Sequence, residues 1–191
     1  MRMSTARRTY ISPEEYLELE RKAEQRSQYF DGEVYAMAGA SANHVQITTN
    51  ISGTLRNLLK GRDCRVGAVD MRLFVPASGL YTYPDVFVVC GEPQFMTSHT
   101  DTLLNPIVLF EVLSESTEQF DRGKKFSYYQ TIASLSDYVL VSQDQCRVER
   151  FKKQPSGDWL LSVFTSLEDR VAFPELDVEL PLSEVYYLVE M

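Results

Sequence analysis

The chain has 191 residues, 27 acidic against 19 basic side chains, a formal charge of −8 and 44% hydrophobic residues. That composition fits one globular domain and excludes a disordered or fibrous chain. No apolar run reaches the roughly 18–20 residues a membrane helix needs, so a membrane protein is not expected.

The N-terminus, Met1 to Arg8, is basic, but Ser12-Pro13-Glu14-Glu15 follows where a signal peptide would place its apolar core. Cys64, Cys90 and Cys146 are odd in number and form no CxxC pair, which suggests neither a disulfide framework nor a cysteine zinc site. Both features point to a reducing, cytoplasmic compartment. The acidity is local: residues 154–191 hold eight acids and one base, leaving the rest nearly neutral. A polyanion could therefore approach the remainder of the surface.

In chain order, Ser12 as N-cap, Pro13 at the first helical position and Glu15 as the capping-box acid predict a helix to about Arg26. Asp31-Gly32, between Gln28-Tyr29-Phe30 and Glu33-Val34-Tyr35, predicts a tight hairpin. Ser41 caps a second helix, in which Val45, Ile47, Ile51, Leu55, Leu58 and Leu59 recur at helical spacing up to Gly61. Strands follow at Cys64–Val75, Pro84–Cys90 and Ile107–Leu113, the last two apolar enough to be covered on both faces. A helix from about Thr117 or Asp121 to Ile132 precedes a strand at Tyr138–Ser142. A hairpin of Arg147–Phe151 with Trp159–Phe164, a short strand near Val178 and a short helix from Ser183 complete the chain. The expected fold is α/β, a mixed sheet flanked by helices. Its parts are an N-terminal helix and hairpin at about 12–38, a core at about 41–142 and a β-rich segment at about 146–191.

Two carboxylates interrupt this apolar pattern. Asp85 heads Val86-Phe87-Val88-Val89, and Glu111 sits inside Ile107–Leu113. A buried carboxylate costs several kcal/mol unless paired, hydrogen-bonded or bound to metal. Two on adjacent strands repel, and a divalent cation such as Mg²⁺ between them relieves this; turn capping by Asp85 and an arginine partner for Glu111 are the alternative. On the charge argument alone, Asp85→Ala is expected to stabilise the metal-free protein. Asp121 and Lys125, four apart, share a helix face that Tyr129 continues. They form either a solvated ion pair or a route for an ammonium to the carboxylates. His44 lies in the first turn of its helix, where it could donate to a phosphate, hold Glu33 in place or simply bond nearby backbone. Asp70 alternates with Cys64, Val66 and Ala68, so it is expected to face inward as a group orienting the ligands or pairing with an arginine. Two histidines, with no HExxH, make a zinc enzyme a poor fit.

Pro84-Asp85, then Glu111-Val112-Leu113-Ser114, with Ser116-Thr117, Asp121 and Lys125 downstream, resembles the bacterial putative restriction endonuclease family called Uma-two, a branch of the PD-(D/E)xK nucleases. The resemblance runs from Tyr10-Ile11-Ser12-Pro13-Glu14-Glu15-Tyr16 through Asp31-Gly32-Glu33 to Tyr138-Val139-Leu140-Val141. It implies a restriction-endonuclease-like core and metal-dependent cleavage of nucleic acid, DNA before RNA. Asp85, Glu111 and Glu33 would be the Mg²⁺ or Mn²⁺ ligands. Lys125, or neighbouring Lys124, would be the superfamily lysine displaced onto the helix, because its usual place, two residues after the acid, is Leu113. A homodimer suits the cutting of two strands. The alternative is a nucleic-acid- or protein-binding module that keeps the fold without cleaving, favoured by Leu113 and the acidic C-terminal segment.

Overall fold

The computed structural model describes residues 10–37, 39–97 and 99–191; the basic Met1–Arg8 stretch lies outside them. Helix α1 (Pro13–Glu20) starts as expected, with Ser12 Oγ accepting from the Glu15 N–H. It ends six residues early, because Ser27 opens a strand and Glu20 turns its carboxylate back to accept from the Ser27 N–H at 2.9 Å. Strands β1 (Ser27–Phe30) and β2 (Glu33–Ala36) form the hairpin. Both turn residues have positive φ, 49° at Asp31 and 82° at Gly32, the geometry that matches strand twist in a two-residue turn. Helix α2 (Ala42–Leu58) is capped by Ser41, whose Oγ accepts from the His44 N–H at 3.1 Å.

The expected strand Cys64–Val75 is two strands in different sheets. β3 (Cys64–Ala68) and β4 (Arg72–Val75) are separated by Val69 and Asp70, at φ 43° and 55°. Two consecutive left-handed residues redirect the chain, so the period-two pattern does not carry through. β5 (Leu80–Thr82), β6 (Val86–Cys90), β7 (Thr102–Leu103) and β8 (Val108–Val112) follow. Then come three consecutive helical segments: α3 (Glu118–Phe120), a π-helical turn (Asp121–Lys125) and α4 (Phe126–Tyr129). β9 (Asp137–Val141), β10 (Val148–Lys153), β11 (Trp159–Phe164), β12 (Arg170–Phe173), β13 (Val178–Pro181) and α5 (Leu182–Val185) complete the described chain.

A six-stranded sheet has the order β11-β10-β9-β8-β6-β3, mixed because only β8 and β9 run parallel. Beside this central mixed sheet the described residues form a five-stranded sheet ordered β2-β1-β5-β4-β7 and the pair β12-β13. One face of the six-stranded sheet packs Val86, Val108, Phe110 and Val139 against Ile47, Ile51 and Leu55 of α2 and against the C-terminal segment. The other packs Phe87, Leu109 and Tyr138 against Tyr129 and Ile132, and against Leu73 and Leu80 of the five-stranded sheet. Cover on both faces explains the near-continuous apolar runs of β6 and β8.

The cysteine expectation is corrected. Cys64 and Cys90 are direct cross-strand partners of β3 and β6 and form a disulfide, leaving Cys146 free. Spacing in sequence could not show this, because the partnership comes from the register of two strands 26 residues apart.

Candidate metal and phosphodiester site

β8 places Glu111 at the middle of the sheet, paired with Leu140 of β9, and its side chain is on the face covered by the helical segments. Glu111 is 3% exposed. The crossover from β8 to β9 carries Lys125 over it: Nζ lies 2.8 Å from Glu111 Oε1 and 2.9 Å from Asp121 Oδ1. Lys125 ends a π-helical turn, and such turns occur frequently at functional sites. The expected surface alternative for Asp121 and Lys125 is excluded, since both are buried. Lys124, its neighbour, is exposed, so Lys125 is the lysine at the carboxylate. Leu113 is buried in apolar contacts.

Asp85 stands where the β6–β8 ladder stops. Val86 pairs with Phe110, the last rung of that ladder. The Asp85 carboxylate takes over, its Oδ2 accepting from the Val112 N–H at 2.7 Å. His44 Nε2, from the first turn of α2, lies 3.3 Å from the same oxygen. The side chains of Asp85 and His44 are 14% and 16% exposed, so the site opens to solvent on the Asp85 side and is closed around Glu111.

The electrostatics follow from burial. Desolvation pushes Glu111 up to about 8, against the pull of Lys125, with Asp121 and then Asp85 adding repulsion. Burial works to deprotonate Lys125, but Glu111 and Asp121 outweigh it and raise its pKa, so the ammonium persists. His44 is likewise raised, because the hydrogen bond and charge of Asp85 overcome its desolvation. Tyr129, fully buried, is raised well above 10 by burial and by Glu111, and its hydroxyl donates to Glu111 Oε1 at 2.9 Å. Tyr138 donates to the Asp121 carbonyl at 3.1 Å.

These contacts fall on one oxygen of each carboxylate. All partners of Glu111 are on Oε1 and all partners of Asp85 on Oδ2. Glu111 Oε2 and Asp85 Oδ1 have no donor among the described residues. Two free carboxylate oxygens at a partly open site fit Mg²⁺ or Mn²⁺, which take one or two carboxylates and fill the remaining positions with water and phosphate oxygens. They do not fit a closed protein cage: among the described residues, no three His, Cys, Asp or Glu side chains gather as a metal-binding group.

The remaining candidates separate clearly. Glu33 opens β2 and accepts from the Tyr35 hydroxyl at 2.6 Å; it does not join Asp85 and Glu111 in a three-ligand cluster. Asp70 does not face inward. It sits in the turn between β3 and β4, its side chain 70% exposed, paired with Arg26 at 3.2 Å. Sequence reasoning assigned no role to the Tyr129 hydroxyl or the Val112 N–H. The helical stripe through Asp121, Lys125 and Tyr129 pointed to the first, whereas nothing local marks the second. A cavity of about 610 Å³ adjoins the end of β8, lined by Leu113, Ser114, Arg122, Arg147 and Glu149, and does not include the carboxylate pair. Both arginines there are tied to Glu149, at 2.5 and 2.6 Å.

Comparison with known proteins agrees with this architecture. Residues 13–183 match the family model Uma2, described as putative restriction endonuclease. Two uncharacterized proteins of Synechocystis sp. (strain PCC 6803) are 37% identical over 92% of this chain and 91% of the relative, and 38% identical over 84% and 90%. The crystal structure of a putative nuclease from Anabaena variabilis superposes with a TM-score of 0.77 at 19% identity, covering 94% of this chain and 99% of that one. It shares the mixed α/β fold. Among the described residues no helix is long and apolar enough to cross a membrane. The chain belongs to the Uma2 family.

Proposed function

From membership of the Uma2 family, we propose that this protein is a divalent-metal-dependent endonuclease that hydrolyses phosphodiester bonds, with DNA as substrate. The observation that carries the reading is the Glu111–Lys125 pair, buried beside Asp85 with one oxygen of each carboxylate unclaimed. Asp85 Oδ1 and Glu111 Oε2 would hold Mg²⁺ or Mn²⁺, which when bound polarises the phosphodiester and lowers the pKa of the attacking water. Lys125, locked by Asp121, holds a fixed positive charge beside the reacting phosphate and favours the charge that develops on it. His44 fixes Asp85 and can donate to a phosphate oxygen from the solvent side. Glu33 remains a candidate proton acceptor from the hairpin. A two-fold homodimer would bring two such sites to the two strands of a duplex.

The test is incubation of supercoiled plasmid, single-stranded DNA and RNA with the protein and Mg²⁺ or Mn²⁺, beside Asp85→Ala and Lys125→Ala. Metal-dependent cutting of plasmid, lost in both variants, is the expected result. The second reading, a binding module, is favoured by Leu113 in the usual lysine place and by Lys125 already holding two carboxylates. Metal binding by calorimetry and retention of labelled DNA, without cleavage of any substrate, would select it.

A further inference from the structure

The fold treats the two oxygens of Glu111 differently. Oε1 receives two donors, the Tyr129 hydroxyl at 2.9 Å and the Lys125 ammonium at 2.8 Å, while Oε2 receives none among the described residues. Both donors are held from elsewhere. Tyr129 is 0% exposed and stands edge-on to Tyr138, ring centroids 5.3 Å apart at 83°. Lys125 is anchored by Asp121 at 2.9 Å. Turning the carboxylate to exchange its oxygens would break a hydrogen bond and an ion pair inside a closed pocket, where a lost partner is costly.

A carboxylate so clamped offers a cation one oxygen only. Small octahedral ions are served well by that mode, since Mg²⁺ demands near-ideal six-coordination and keeps several waters. Ca²⁺ takes six to eight oxygens and readily uses both oxygens of one carboxylate. We propose that Tyr129 is a positioning residue which, with Lys125, restricts Glu111 to one-oxygen coordination and so biases the site toward Mg²⁺ and Mn²⁺ over Ca²⁺. This inference rests on the metal reading above. Without the hydroxyl, Oε1 keeps a single donor, the carboxylate gains freedom to turn, and Ca²⁺ gains a second oxygen that an octahedral ion has less use for.

The experiment titrates the purified protein and Tyr129→Phe with Mn²⁺ and with Ca²⁺ in a calorimeter, with a melting curve of each to establish folding. The wild type is expected to prefer Mn²⁺ by about tenfold or more, and Tyr129→Phe to shrink that preference at least about threefold through tighter Ca²⁺ binding. Infrared difference spectra on the wild type give an independent readout. The splitting of the carboxylate stretches is expected to show one-oxygen binding to Mn²⁺, and Glu111→Gln to remove that signal. An unchanged Mn²⁺ to Ca²⁺ ratio in a folded Tyr129→Phe protein, or a two-oxygen signature in the wild type, overturns the role of Tyr129 and leaves the metal site standing. If the wild type binds neither ion, the metal reading fails and this inference falls with it. Should Tyr129→Phe fail to fold, the wild-type spectrum decides.

Discussion

Asp85→Ala sets two effects of opposite sign against each other. Removing the charge relieves repulsion with Glu111, which alone would stabilise the metal-free protein. However, Asp85 also accepts the Val112 N–H at 2.7 Å, and Val112 is 2% exposed. A buried N–H left without an acceptor costs about 1–3 kcal/mol. Among the influences on Glu111, Asp85 ranks below burial, Lys125 and Asp121, so the relief is the smaller effect. The structure thus reverses the stabilisation expected from charge alone. Asp85→Ala should lose about 2 kcal/mol, which for a domain of this size lowers Tm by about 4–8 °C. Asp85→Asn keeps an oxygen for the Val112 N–H and sheds the charge, so it should melt within about 1 kcal/mol of wild type. The assay is thermal unfolding by circular dichroism in chelator at pH 7 for all three proteins. An Asp85→Ala protein melting at or above wild type would refute the reasoning, since the carboxylate would then be a source of strain and not the last rung of a ladder.

Lys125→Met should destabilise more, by about 3–5 kcal/mol, because it strands Glu111 and Asp121 in a buried site; a double-mutant cycle with Asp121→Asn should recover part of that loss, and strict additivity would contradict the pairing. Glu149 yields a pH prediction. Burial works to raise it, but hydrogen bonds from Arg122 and Arg147 outweigh that and hold its carboxyl below the ordinary value. A depressed carboxylate contributes stability that is present above the unfolded pKa of about 4.3 and lost as pH falls through the folded one. Melting curves from pH 7 to 3 should therefore fall less steeply for Glu149→Gln than for wild type. Finally, thiol titration of the unreduced, denatured protein should find one thiol, Cys146, rising to three after reduction; three thiols before reduction would show that Cys64 and Cys90 are not joined.

Much of the molecule is legible locally. The capping residues Ser12 and Ser41, the Asp31-Gly32 turn and the apolar runs of β6 and β8 specify themselves within a few residues, because caps, turns and two-sided burial leave a short-range signature. The same logic exposes Asp85 and Glu111, since an acid in a buried strand stands out against its neighbours. Long-range register is a different matter. The break of Cys64–Val75 into two sheets, the Cys64–Cys90 pair and the outward turn of Asp70 depend on which strands meet, and no local preference encodes that. The site has the same division. Sequence alone picked out Asp85 and Glu111 as candidates and set Asp121, Lys125 and Tyr129 on one helical stripe, while the displaced lysine was what the family resemblance implied. Only the tertiary structure decided that Lys125 and not Lys124 reaches Glu111, that Tyr35 donates to Glu33, and that Asp85 accepts the Val112 N–H beyond the last rung of the β6–β8 ladder. The physical reason is that these depend on burial and on partners that only the folded chain brings together.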